Sequence, residues 1–172
     1  MQAQPETQIR TERLLLRRVA PSDAGFLLEL LNEPAWLENI GDRGVRTLED
    51  AERYVRSNIV GHYETHGFGV YAVEVASSQR VVGLCGLVQR DYLPEPDLGF
   101  ALLSAHVNRG YAFEAAYALM RDPAHRQHWR RLYAIVKPGN ARSVKLLERL
   151  GFGYEQVQVT PAGDEVLLYA TP

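Results

Sequence analysis

The chain has a single cysteine, Cys85, in 172 residues. One thiol cannot close an intrachain disulfide, so nothing ties the fold to an oxidising compartment. No stretch approaches the roughly 20 apolar residues of a membrane helix, and the opening MQAQPETQIR lacks the apolar run of a secretory signal. An excess of one charge is also missing. Lys and Arg number 19 against 21 Asp and Glu, and the formal net charge of -2 gives no whole-molecule attraction to nucleic acid or an anionic membrane. HExxH is absent, and His62 and His66, although spaced i,i+4, have no third candidate ligand nearby in sequence, so no metal is expected. No repeat, low-complexity tract or linker divides the chain. By elimination the expectation is one cytoplasmic domain over 1–172 with a loose tail at 1–8, and no nucleic-acid or membrane partner.

What is present suits an ordinary globular protein: 46% hydrophobic and 23% charged residues, enough for a core without staples. Arg13–Val19 reads as a strand running into the turn Pro21-Ser22-Asp23. Asp23–Leu31 follows as a short helix, with Phe26, Leu27, Leu30 and Leu31 at helical spacing and an acidic start. Asn32-Glu33-Pro34 stops it, and an irregular segment continues to Arg46. Thr47-Leu48-Glu49-Asp50 makes a capping box with Asp where Glu is usual. The helix it opens carries Leu48, Ala51, Tyr54, Val55 and Ile59 on one stripe. From Gly69 the period changes, and 69–75 with 80–88 form a hairpin. Residues 97–103 give a third strand, Arg109–Met120 a helix ended by Asp122-Pro123, and 132–137 a strand. Ala141–Leu150 is a helix closed by Gly151, and 153–159 pairs with 165–170. This order predicts a mixed α/β sandwich around one sheet.

Chemistry concentrates in Leu98–Ala116, LGFALLSAHVNRGYAFEAA. A strand ends, the chain turns through Asn108-Arg109-Gly110, and a helix starts with few side chains crowding its first turn. Free N–H groups at a helix start, reinforced by the dipole, seat an anion such as a pyrophosphate. Gly110 permits close backbone approach, Ala112 keeps the second contact small, and Arg109 adds a fixed positive charge. A plain strand-to-helix turn with a helpful glycine is the alternative. A second piece, YAIVKPGNARSVKLLERLGF, is a strand, a polar turn and a helix whose start holds Asn140, Arg142 and Ser143.

With these two pieces the chain resembles the GNAT N-acetyltransferase superfamily, and within it the branch similar to ribosomal-protein alanine N-acetyltransferases. TERLLLRRVAPSDA, LNEP, DLGFALL, RGYAFEA and NARSVKLLERLGF carry the resemblance, in order, over nearly the whole chain. The resemblance implies an α+β fold: a mixed, mostly antiparallel central sheet with helices on both faces and the fourth and fifth strands splayed. Those strands map to Asp97–Leu103 and Leu132–Lys137, and the pantetheine arm of acetyl-CoA is expected between them. Phe100, Ala101 and Leu102 are then expected to line the arm. Val107, Asn108, Arg109, Gly110, Tyr111 and Ala112 are expected to hold the pyrophosphate, and Asn140, Arg142 and Ser143 to meet the cofactor from the last helix. Val107 and Asn108 depart from the usual residues of that loop, but backbone donors do the binding.

The implied reaction is direct attack of an amine on the thioester, the acceptor being a protein N-terminus or a small molecule. An α-amino group, with pKa about 7.7–8.0, needs less help from a base than a lysine near about 10.4. Asp97 falls where many relatives carry a glutamate and is the candidate base, with Glu95 as fallback; a solvated strand-end residue is the alternative. Leu147 occupies the place of the tyrosine acid, so Ser143 is the branch's candidate for the leaving thiolate, or simply a first-turn residue. Asn140 both caps its helix and, by resemblance, meets the pantetheine. The loop after the first helix, with Trp36, Asn39, Asp42, Arg43 and Arg46, is expected to border the acceptor, ordinary surface charge being the alternative. A homodimer fits the branch. A CoA-binding module without catalysis is the competing class.

Other signals carry less. Gly67–Ala72 matches a dinucleotide fingerprint in letters but precedes a strand, so its mechanism fails. Cys85 reads as core. Arg126, Arg130 and Arg131 with His125, His128 and Trp129 read as solvent-facing, or as contacts for the cofactor's 3′-phosphate. Tyr111, Phe113 and Tyr117 read as helix packing.

Overall fold

A computed structural model describes residues 8–172. The tail expected at 1–8 lies outside the described residues except for its last position. Eight strands make one sheet in the order β1-β2-β3-β4-β5-β6-β8-β7: β1 (Ile9–Arg10), β2 (Leu14–Arg18), β3 (Val70–Val75), β4 (Arg80–Val88), β5 (Asp97–Leu102), β6 (Tyr133–Val136), β7 (Gly153–Val159) and β8 (Glu165–Ala170). Every neighbouring pair is antiparallel except β5 and β6. The extra edge strand β1 was not expected, and it makes β5 and β6 the pair predicted to splay.

The two-residue period of the strands sorts their side chains onto two faces. On one face Leu14, Leu16, Val73, Cys85, Leu87 and Leu98 pack against α5 (Tyr111–Arg121) and α7 (Ala141–Arg149) through Ala115, Ala116, Leu119 and Leu147. On the other, Ala72, Leu84 and Leu103 meet α1 (Ala24–Leu31), α2 (Pro34–Asn39), α3 (Leu48–Tyr54) and α4 (Gly61–His66) through Leu27, Leu31, Trp36, Ala51 and Tyr63. Each such leucine contributes on the order of 1.5–3 kcal/mol by leaving water. The short helix α6 (Pro123–Arg126) follows α5.

Three expectations change. Pro34 does not end in irregular chain but opens α2 as its first residue, because proline's missing N–H costs nothing at a helix start; Pro123 opens α6 in the same way. Leu48 is exposed, not part of the buried stripe, whereas Ala51, Val55 and Ile59 are buried. A π-helical turn, Val55–Val60, joins α3 to α4. The capping box forms as expected: the Asp50 N–H donates to Thr47 Oγ1 at 3.1 Å and the Thr47 N–H to Asp50 Oδ2 at 3.1 Å. The glycines of Gly67–Ala72 serve the fold. Gly67 ends α4 in the left-handed conformation. A side chain at Gly86 would stand 2.2 Å from the Gly69 carbonyl, so β4 crosses the start of β3 without one.

Candidate functional site

The site grows from one irregularity in the sheet. β4 and β5 share six register pairs, from Gly83–Leu102 to Val88–Asp97. β5 and β6 share one, Asp97–Tyr133, at the start of both strands, with the Tyr133 N–H donating to the Pro96 carbonyl at 3.2 Å. Beyond it the strands diverge. Phe100, Ala101 and Leu102 lie along the β5 side of this opening, each half-buried. Phe100 and Leu102 turn toward the α5 layer and Ala101 toward the α1–α4 layer.

Past β5, a 3₁₀ turn (Ser104–His106) leads through Val107 and Asn108 to Gly110, which precedes α5. Asn108 has φ 62° and Gly110 φ 81°. Asparagine and glycine are the residues that accept this left-handed backbone most readily, so Asn108 preserves the turn where a glycine was expected. Among the described residues no side chain caps α5, whereas Thr47 caps α3 and Asn140 caps α7. The first-turn donors of Tyr111, Ala112 and Phe113 are therefore offered outward.

Glu114, an acid in that first turn, would repel a phosphate if it stood free. It does not. Thr11 Oγ1 donates to its Oε1 at 2.6 Å, the Arg13 N–H to Oε1 at 2.9 Å, and Arg13 Nε to Oε2 at 2.7 Å. Burial opposes the charge on Glu114, but these donors outweigh it and hold the carboxyl below its ordinary range. Arg13 also donates to the Arg109 carbonyl at 2.9 Å and lies over the Tyr111 ring. Sequence reading missed Arg13, which sits almost a hundred residues away, and only the β1–β2 edge packing against α5 brings it here. A recess of about 620 Å³ adjoins Gly110 along α5. In it Phe113 and Tyr117 stack at 5.6 Å, with Arg149 over Phe113 and Arg121 over Tyr117. Tyr117 is exposed, so this pair is not simple helix packing.

At the start of α7, Asn140 Oδ1 accepts from the Ser143 N–H at 3.3 Å. Ser143 is half-buried, Arg142 is exposed and Leu147 is fully buried in the core.

Asp97 is 1% exposed and accepts from Arg90 Nε at 2.8 Å. The solvated strand-end alternative is thereby removed. Burial pushes its carboxyl up, the Arg90 charge and hydrogen bond pull it back, and the balance sits at about 6. The period of β5 puts Asp97 on the Ala101 side, toward the α1–α4 layer. Glu95, the fallback, accepts from the Arg130 and Arg131 N–H groups at 2.5 and 2.8 Å and serves the loop before β6.

Of the residues expected at the acceptor side, Trp36 is buried and donates through Nε1 to the Gly41 carbonyl at 3.0 Å. Asn39 donates to the Ala35 carbonyl in its own helix. Asp42 and Arg46 pair at 2.5 Å, Arg46 also reaching Asn32 Oδ1 at 2.9 Å, and Arg43 is exposed. The Arg126, Arg130 and Arg131 group stands elsewhere. It follows the far end of α5, whose 11 residues put roughly 16 Å between Gly110 and that end. Arg126 lies over Trp129, and Arg131 pairs with Glu155 at 2.6 Å; His125 and Trp129 are buried, so these two do not face solvent. Cys85 is buried, its thiol pushed up to about 12 by desolvation. His62 is engaged at both ring nitrogens, by the Phe68 carbonyl and the Gln89 N–H. No helix among the described residues is long and apolar enough to cross a membrane.

The sequence profile of the acetyltransferase (GNAT) domain matches residues 13–153. YkkB of Bacillus subtilis (strain 168), an uncharacterised protein, is 24% identical over 154 residues, covering 88% of each chain. An acetyltransferase from Agrobacterium tumefaciens str. C58 superposes with TM-score 0.80 at 26% identity, over 99% of this chain and 96% of that one. The ribosomal L7/L12 α-N-protein acetyltransferase RimL, solved with coenzyme A, shares the fold at TM-score 0.80 and 22% identity, over 95% and 97% of the two chains. The chain belongs to the GNAT acetyltransferase family, and its reaction is acetyl transfer from acetyl-CoA.

The Asp97–Arg90 pair has a measurable signature. The folded pKa of Asp97, about 6, lies above the unfolded value of about 3.9. The folded chain therefore holds this proton more tightly, and the group's contribution to stability declines as pH rises from about 4 through about 6. Carboxyl carbon NMR should find the Asp97 midpoint near 6, and Arg90→Gln should move it higher by removing the cation. A wild-type midpoint in the ordinary carboxylate range would refute the assignment.

Proposed function

We propose that this GNAT acetyltransferase acetylates a primary amine, either a protein N-terminus or a small-molecule amine, at the opening between β5 and β6. The observation that carries the reading is the uncapped start of α5 beside a parallel pair joined at Asp97–Tyr133 alone. The residues fit the donor. Backbone N–H groups of Tyr111 and Ala112, with the left-handed turn at Asn108 and Gly110, suit a pyrophosphate. Val107 and Arg109 complete that turn, and the Arg149 and Arg121 guanidiniums, held over aromatic rings, suit the nucleotide end. Phe100, Ala101 and Leu102 line the path of the pantetheine, Asn140 has its amide Nδ2 free of the cap, and Arg142 stands at the rim. Bound acetyl-CoA supplies the activated thioester.

Asp97 receives the amine's proton. With its pKa near 6 it is ionised at neutral pH yet more basic than an ordinary carboxylate, and its burial requires that the proton arrive through water. An α-amino acceptor, about 7.7–8.0, matches this base better than a lysine. Ser143 faces the leaving thiolate, Leu147 having no proton to give. Asn39, Asp42, Arg43 and Arg46 form the acceptor rim over Trp36. We read the whole chain as one catalytic domain acting in the cytoplasm. The burial of Asp97 in an ion pair and the apolar Leu147 favour one second reading, a CoA-binding module without turnover. A homodimer through β7 is also proposed: this edge strand is exposed almost throughout, with Tyr154, Val157 and Val159 outward and no charge between Gln156 and Thr160, whereas lone edges are usually guarded.

Three outcomes are expected. Gly110→Asp puts a side chain on a left-handed backbone, a strain confined to the turn, and weakens CoA binding about tenfold or more by repelling phosphate; circular dichroism checks the fold, and unchanged affinity by calorimetry removes the seat. Thiol release with amines and N-terminal peptides should find an acceptor whose kcat/KM rises through about pH 6, and Asp97→Asn should abolish that limb while keeping CoA affinity. Tight CoA binding with no thiol release for any amine selects the non-catalytic module. Val157→Lys should convert a sedimenting dimer to monomer; a wild-type monomer at all concentrations ends the dimer proposal.

A further inference from the structure

Helix α2 lies where the chain meets both strands of the opening. At its N-terminal end Glu33 Oε2 accepts from the Ser104 N–H at 2.8 Å and from Ser104 Oγ at 2.9 Å. Ser104 is among the first residues after β5. At its C-terminal end the carbonyl of Glu38 accepts from Lys137 Nζ, and Lys137 is the first residue after β6. One short helix is thus tied to both strands on the side where they have parted.

Its length matters. Six residues of α-helix span roughly 9 Å. Neighbouring strands stand about 4.8 Å apart, so a sheet with one strand left out opens to about 9.6 Å. With the Glu33 and Lys137 side chains completing the two ties, the helix is long enough to bridge an opening of that width. The helix is also stiff: Pro34 presets its first turn, and buried Trp36 anchors it through the Gly41 carbonyl.

We infer that α2 is a crossbar holding the ends of β5 and β6 one strand-width open, with Glu33 and Lys137 as positioning residues for the extended pantetheine arm. The inference rests on the proposed placement of acetyl-CoA between these strands. Glu33 and Lys137 touch neither the thioester nor the amine; they act through the strand ends, by keeping the slot formed before the arm enters. Loss of a tie lets the ends close toward ordinary pairing or drift apart, and the arm then has to reopen or order the slot as it binds.

The test compares CoA with pantetheine, which lacks the nucleotide and phosphates. Glu33→Ala/Lys137→Met should bind both more weakly by a similar factor, about tenfold, since a slot that must be ordered as the arm enters imposes the same cost on either ligand. Affinity for CoA is read by calorimetry and for pantetheine by NMR titration. Each single variant should show part of the loss, and Glu33→Gln/Lys137→Arg should recover it because both hydrogen bonds can re-form. Near-ultraviolet circular dichroism checks that each variant is folded. Unchanged affinities in folded variants overturn the crossbar, as does a loss confined to CoA, which would assign Lys137 to the phosphates. Gly110→Asp separates this failure from that of the underlying reading: it should weaken CoA and spare pantetheine. If it spares both, the placement of the cofactor falls and the crossbar with it.

Discussion

The structure depends on a parallel strand pair that begins and then stops. Backbone N–H and C=O groups left without partners in a folded chain need one from somewhere, and β5 and β6 share a single register pair before parting. A sheet with such an opening would ordinarily slide shut or fray. Here elements on both faces resist that. α5 and α7 cover one face through a continuous apolar cluster, while α1 to α4 cover the other. The β4–β5 ladder holds one side of the opening in a full register. The β6–β8 pairing, from Tyr133–Ala170 to Val136–Leu167, holds the other.

Around that opening, charges are placed so that each is answered. Glu114 would spoil an anion seat, and Thr11 and Arg13 neutralise it from a distant part of the chain. Asp97 would be an ordinary carboxylate at the surface; burial raises it and Arg90 limits the rise. A buried acid without Arg90 would tend to hold its proton, whereas one paired in open water would have little affinity for a new one. The intermediate value arises because two large opposing effects act on one group, so it is sensitive to small changes in either.

Much of this was legible from residues alone. The strands in 69–88 were legible as short apolar runs bounded by a turn, since both faces of the sheet are covered, and helical spacing in Asp23–Leu31 survives contact with the structure because burial on one face imposes that period directly. The Thr47–Asp50 box was legible because its bonds lie within four residues. The start of α5 was legible for the same reason, a glycine turn and small residues being local facts. Three things were not. Pro34 reads equally as a stop or as a first residue, and only the apolar contact of Trp36 decides for α2. Arg13 meets Glu114 across the fold, and no local pattern records it. The group from His125 to Arg131 reads by its polar letters as facing solvent, but His125 and Trp129 are buried by contacts with distant strands that no local pattern records. Local hydrogen bonding was readable; long-range electrostatics was not.

The left-handed turn at Asn108 and Gly110 has an evolutionary consequence. In the proposed cofactor seat recognition would run through main-chain groups, and every amino acid except proline supplies the same N–H. Natural selection therefore acts on a torsion angle, not on a letter. Side chains in the turn are free to drift wherever that torsion is preserved, so relatives can diverge at these positions while the socket itself stays unaltered. Resemblance measured residue by residue then understates how well such a feature is inherited.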